Sequence, residues 1–270
     1  MASWEFPGSE PAEVVVDLPS GSVAITAEPT DMITVSLIPS RRSKSGAEVD
    51  EITVEYDSES RRLAIIEPRH SGLLRHRGGV ECTVKVPAGS HCNLRTASSD
   101  ISCAGEFSTL DARTASGDVT ASLATGTVQL STASGDIWLE QAREGGRLNT
   151  ASGDVRLLRS AGDLTVTTAS GDIQLGTAEG PVSLRTASGD VRLDQLLAGE
   201  ADINSVSGDV TVKVVPGTGV YLDLSSFTGR VVSDLEQTGE DDGDAQIAVK
   251  CRTVSGDIRV NRAPAAAAAS

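Results

Sequence analysis

Aspartates recur every 18 residues through the middle of this chain, at Asp100, Asp118, Asp136, Asp154, Asp172 and Asp190. Each closes a copy of the stretch Thr-Ala-Ser-Gly-Asp and is followed by Val or Ile; only the first copy differs, with Ser99 in place of Gly. The series continues with one added residue at Asp209, in Ser205-Val206-Ser207-Gly208-Asp209, and returns at Asp257, in Thr253-Val254-Ser255-Gly256-Asp257. A fixed period over such a run restricts the chain to a repeat architecture, in which each copy buries its apolar face on its neighbours.

Within a period the apolar residues alternate with polar ones on both sides of the Asp-bearing turn, as at Val128 and Leu130 before it and Ile137 and Leu139 after it. Alternation with period two means strand. A second turn falls half a period away, at Gly126, Gly145, Gly162, Gly180 and Gly199. Half-buried strands this short are not stable alone, but stacking equivalent strands from successive copies pairs their backbones and encloses a continuous core. The expected fold is all-β: a two-faced parallel β-solenoid (β-helix) with 18-residue coils. At a strand spacing of about 4.8 Å, roughly eight coils would make a rod on the order of 40 Å long. One inward ladder reads Val119, Ile137, Val155, Ile173, Val191 and Val210; the other reads Leu130, Leu148, Val166, Leu184 and Ile203. Aromatic residues make up only 3% of the chain, which suits a thin core filled by aliphatic side chains. No three-four spacing of apolar residues supports a helical alternative.

The ends depart from the repeat, as exposed terminal coils require. Residues 1–95 read as an N-terminal cap of strands and hairpins with the first irregular coils, 96–215 as the regular solenoid, and 216–262 as irregular C-terminal coils and cap. Residues 263–270 read as a disordered tail, and the whole as one continuous domain. Polar stretches at 40–50 and 68–79, and an acidic one at 236–244, read as loops.

The repeated turn has structural work to do. Glycine supplies a backbone tolerant of positive φ, Thr closes the core at the corner, and Ser and Asp bond backbone groups that the bend leaves unpaired. Stacked carboxylates about 4.8 Å apart repel by on the order of 1 kcal/mol per neighbour in water. Either each carboxylate accepts turn amides and a Ser hydroxyl, which is the simpler arrangement, or calcium bridges the ladder Asp118, Asp136, Asp154, Asp172 and Asp190. No cofactor is expected on the first arrangement.

A net charge of −15 argues against phosphate neutralisation, hence against nucleic acid and anionic membrane surfaces. No run approaches the roughly 18 apolar residues of a membrane span, and the opening lacks the basic and apolar pattern of a secretory signal. The chain reads as cytoplasmic, with cell-envelope association open. Cys82, Cys92, Cys103 and Cys251 have no metal-ligand spacing and ignore the 18-residue period, so they read as buried thiols.

Catalytic chemistry is not legible. Histidine occurs only at His70, His76 and His91, outside the regular coils, and no base recurs beside the turn serines. An active site must break the repeat, and the main break is Trp138, in an outward slot held elsewhere by Thr120, Arg156, Gln174 and Arg192. Trp138, Arg156 and Arg192 are the candidate partner contacts. The expected function is a non-enzymatic scaffold that displays a repetitive surface for protein binding or self-association. Two alternatives stay open: a carbohydrate-binding or carbohydrate-active solenoid using acids near Trp138, and an acidic rod that mimics nucleic acid.

With TASGDV, TASGDI and VSGDI at this spacing, after the opening VDLPSGSVAI, the chain resembles the bacterial DUF4097 family of adhesin-like proteins over about residues 13–260. That resemblance implies a β-solenoid and an adhesin-like role, and related domains occur in envelope-stress proteins of Gram-positive bacteria. It brings no catalytic or binding residues.

Overall fold

The computed structural model describes residues 1–40, 49, 51–68, 79–235 and 247–264. Nearly all of the loops expected at 40–50 and 68–79, the acidic excursion at 236–244, most of the tail, His70 and His76 lie outside these residues. Two compact units, Met1–Leu139 and Glu140–Ser270, divide the chain. Both are built from the expected parallel β-solenoid coils.

The first unit contains β1 (Ala2–Pro7), β2 (Glu13–Glu28), β3 (Met32–Pro39), β4 (Thr53–Asp57), β5 (Arg62–Ile66), β6 (Val80–Pro87), β7 (Ser90–Arg113), β8 (Val119–Ala124) and β9 (Val128–Ser131). The division falls within β10 (Ile137–Ala142). β2 and β7 lie parallel from Glu13 opposite His91 to Ala27 opposite Gly105, and β7 continues onto β8 and β9. The other edge of β2 is covered by β5 along its first half and by β6 along its second. Antiparallel strands finish this end: β4 on β5, β3 on β6 and β1 on β3. These are the hairpin excursions that the longer alternating runs imply, and they cover sheet edges that would otherwise be open.

The first copy of the repeat, at residues 96–101, lies inside β7 rather than in a turn that breaks it. Ser99 pairs there with Gly21, which has no side chain and a φ of +127°. A serine is therefore accommodated in a slot that needs glycine elsewhere.

The second unit contains β11 (Gly145–Asn149), β12 (Val155–Ser160), β13 (Asp163–Thr167), β14 (Ile173–Ala178), β15 (Val182–Ser188), β16 (Val191–Leu196), β17 (Gly199–Ser207), β18 (Val210–Val214), β19 (Val220–Ser226), β20 (Val231–Ser233), β21 (Ile247–Ser255) and β22 (Ile258–Arg262). Parallel pairs link β11 to β13, β15 and β17 in one face and β12 to β14, β16 and β18 in the other. Val155, Ile173, Val191 and Val210 stack on one inner wall and Leu148, Val166, Leu184 and Ile203 on the other, none more than 1% exposed. Burying a side chain of this size contributes roughly 1.5–3 kcal/mol, so each coil is held chiefly by the neighbours above and below it.

Spatial order departs from chain order at the C-terminal end. β21 pairs with β17 on one edge and β19 on the other, and β22 likewise lies between β18 and β20. The coil made last is thus interior, and the coil made before it is the outer one. Tyr221 and Phe227 in that outer coil are 55% and 84% exposed, whereas Ile247, Val249 and Cys251 one layer in are fully buried. Beyond β22 the chain stays bound for one residue, with Ala263 buried and its amide donating to Val214 at 2.8 Å.

Candidate functional site

The repeated turn builds a recurring corner. Along the row, the side-chain oxygen Oδ1 of Asp100, Asp118, Asp154, Asp172, Asp190 and Asp209 accepts the backbone amide of the aspartate in the neighbouring coil. In the first unit Asp118 N donates to Asp100 at 3.0 Å and Asp136 N to Asp118 at 2.9 Å. In the second unit the bonds run Asp172 to Asp154, Asp190 to Asp172, Asp209 to Asp190 and Asp257 to Asp209, all at 2.8–2.9 Å. The series ends where Arg230 N donates to Asp257 at 3.0 Å, so it follows the spatial order of the coils, with the last coil inside. A charge-assisted bond of this kind is worth more than a neutral one, and it offsets the repulsion expected along the row.

The threonines close the core just inside. Thr114, Thr132, Thr168 and Thr186 are buried, and each hydroxyl donates to the turn carbonyl of the coil behind, from 3.1 Å at Thr132 to Gly117 up to 3.4 Å at Thr186 to Gly171. Glycine is required by the same contact. A Cβ on Gly117 or Gly135 would lie 2.2 or 2.1 Å from the carbonyl oxygen of Ser99 or Gly117. Neither residue has a positive φ, so closeness of the coils, rather than the backbone conformation expected from sequence, demands glycine here. Gly171 and Gly189 meet both conditions.

The outer carboxylate oxygens have cationic partners in places. Arg156 Nη2 lies 3.7 Å from Asp154 Oδ2, and Arg259 spans Asp209 and Asp257 at 3.3 and 2.7 Å. With Oδ1 given to an amide, an aspartate of the row has at most one oxygen to offer a cation. Calcium takes six to eight oxygen ligands. Among the described residues no three His, Cys, Asp or Glu side chains gather where a metal could sit.

Arg156 and Arg192 belong to one outward column. The strand register sets Arg156 beside Gln174, Gln174 beside Arg192, Arg192 beside Thr211 and Thr211 beside Arg259. Arg192 Nε donates to Asp194 at 2.8 Å, and Lys213 Nζ reaches the same oxygen at 3.1 Å. Partial burial acts to raise the Asp194 pKa, but bonds from Lys213 and Arg192 outweigh it and hold the carboxyl below its ordinary value. Trp138 is half-buried in the corresponding outward slot of β10. The four cysteines are buried; burial pushes the thiols of Cys82, Cys103 and Cys251 up to about 12.

Sequence reasoning passed over one irregularity. Ser205 and Thr253 occupy the corner-threonine slot, yet their hydroxyls have no partner. Beside them Val206 and Val254 stand where other corners have Ala115, Ala133, Ala151, Ala169 and Ala187. The substitution of valine for alanine in an outward position was the available signal.

The coil geometry agrees with the match of residues 12–261 to the Toastrack DUF4097 family. The chain belongs to that family. No curated protein matches this Toastrack chain. Solved structures that resemble it include a candidate lipid-binding protein from Parabacteroides distasonis at 14% identity and a TM-score of 0.48, covering 96% of both chains. Candidate adhesins from Parabacteroides distasonis (11%, TM-score 0.47) and Bacteroides fragilis (16%, TM-score 0.39) each match over 96% of both chains. Identities and scores this low give no ground for transferring a ligand. Among the described residues no helix is long and apolar enough to cross a membrane.

Proposed function

We propose that this Toastrack chain is a non-enzymatic, adhesin-like display scaffold that binds protein through its outward columns, acting in the cytoplasm and needing no cofactor. One observation carries the reading: the corner groups that repeat are bonded from coil to coil, while a variable column of Arg156, Gln174, Arg192, Thr211 and Arg259 is held outward in register. Parallel pairing spaces such a row at about 4.8 Å, a rigid template whose contacts cost little ordering. The test is in-cell cross-linking of the whole chain with mass spectrometry, followed by binding of the identified protein to purified W138T, R156S and R192S. Unchanged melting with weakened binding supports the scaffold; binding indifferent to all three substitutions removes it.

The outer coil favours self-association as one form of this reading. Among the described residues β19 is paired on one edge only, by β21; it carries Tyr221 exposed, and Phe227 is exposed just past its end. An uncovered strand edge of this kind adds a further strand readily. Sedimentation at rising concentration should show association that Y221K and F227K abolish; a monomer at every concentration excludes this form.

A further inference from the structure

The corner where the composition changes also opens into a cleft of about 350 Å³. Register places Arg185, Asn204 and Arg252 side by side on β15, β17 and β21, with the two arginine Cα atoms about 9.6 Å apart, twice the usual strand spacing. Arg252 Nη2 is paired with Asp223 Oδ2 at 3.2 Å, and Asn204 Nδ2 donates to Asp202 at 2.9 Å. Arg185 is exposed and has no carboxylate partner among the described residues. Ser205 and Thr253, each 6% exposed, back the cleft from the inner side of the same strands, where their buried hydroxyls bond nothing. Val206 and Val254 line it as well, and they are 54% and 51% exposed.

Alanine fills the Val206 slot in six other copies of the repeat, so the turn itself does not call for valine there. A lone guanidinium and two exposed aliphatic side chains share one concavity on the outer face, and together they specify a ligand. We infer that the cleft binds a small aliphatic carboxylate. The Arg185 fork takes the two carboxylate oxygens, and Val206 and Val254 cover the aliphatic body. One uncompensated cation suits one negative charge, and Asp202 and Asp223 in adjoining rows repel a multiply charged anion such as phosphate. A short fatty acid and a peptide ending in an aliphatic residue share this chemistry. The inference is independent of the scaffold reading, because it concerns β15, β17 and β21 and not the column of Arg156 and Arg192.

The test is methyl NMR of Val206 and Val254 in the full chain, titrated with hexanoate, hexan-1-ol, inorganic phosphate, and N-acetyl-Ala-Val as free acid and as amide. Hexanoate or the free-acid peptide should shift both valines saturably, which also tells the two sources apart. R185Q should weaken that binding by about tenfold, as loss of a charge-assisted pair does, and the alcohol, the amide and phosphate should be weaker by a similar factor. V206A/V254A, which restores the residue found at other corners and therefore keeps the fold, should weaken binding several-fold. Absence of saturable shifts with both carboxylates, equal affinity in R185Q, or hexan-1-ol binding as tightly as hexanoate overturns the proposal.

Discussion

At Gly189 the corner is decided by an atom the residue lacks. A Cβ there would sit 2.1 Å from the carbonyl oxygen of Gly171, on a backbone with φ of +150°. Gly189→Ala should therefore cost about 3 kcal/mol or more in chemical denaturation, because the clash is with backbone that cannot step aside. The neighbouring carboxylate is tested by comparing two variants. Asp172→Ala leaves the Asp190 amide without its 2.8 Å acceptor and should cost about 1–3 kcal/mol, whereas Asp172→Asn keeps an acceptor and should cost distinctly less. Equal losses would mean that the amide bond is not what the residue supplies. The buried thiols give a pH dependence: Cys82, Cys103 and Cys251 have folded-state pKa values raised from 9.0 to about 12. Their contribution to stability is full below about pH 9 and is lost as pH rises from there toward 12, since the unfolded chain releases those protons first. Melting curves between pH 8 and 11 check this, and Cys251→Ser should flatten part of the slope. At this scale the sequence was legible where a residue's role is local. That Thr and Asp bond backbone groups could be assigned from their turn, but the partners lie in neighbouring coils, as does Ser99, whose closeness is the reason for Gly117, and no local propensity encodes such contacts.

Elements were legible through their period and not through their neighbours. Alternation placed the inward residues of β12 to β18 correctly, because burial on one face of a strand writes period two directly into the chain. The same rule gave the outward slot of Trp138, Arg156 and Arg192. Alternation does not say which strand lies beside which: β17, β19 and β21 have equivalent patterns, so the interior position of β21 could not be read. The cleft escaped for a related reason, since its residues come from three strands and its signal is the small change from Ala187 to Val206. Hydrogen exchange should report the order of the coils. Amides of β21, paired on both edges, should exchange more slowly than those of β19, paired on one, although β19 comes earlier in the chain. Comparable protection in the two strands would contradict the insertion.

Over the whole molecule, 38 acidic residues against 23 basic ones give a net charge of −15, which destabilises any compact form through self-repulsion. Salt screens that repulsion with a Debye length of about 10 Å at 0.1 M, so the melting temperature should rise between low and moderate salt. Calcium and magnesium at equal ionic strength should act alike, because each ladder carboxylate has one oxygen bonded to the next coil; a rise specific to calcium would show that cations bridge the row. The interior place of β21 and β22 also bears on how the molecule is made. When a ribosome has produced the chain as far as Ser233, the strands that will flank the last coil exist, but the slot between them is empty. That slot cannot fill until Ile247–Arg262 have left the exit tunnel, and a chain cut short before Ile247 loses the seam joining its outer coil to the coils already stacked. Quality control thus has a built-in sign of progress: a chain stalled before β22 shows an open seam that a chain translated past Arg262 has sealed.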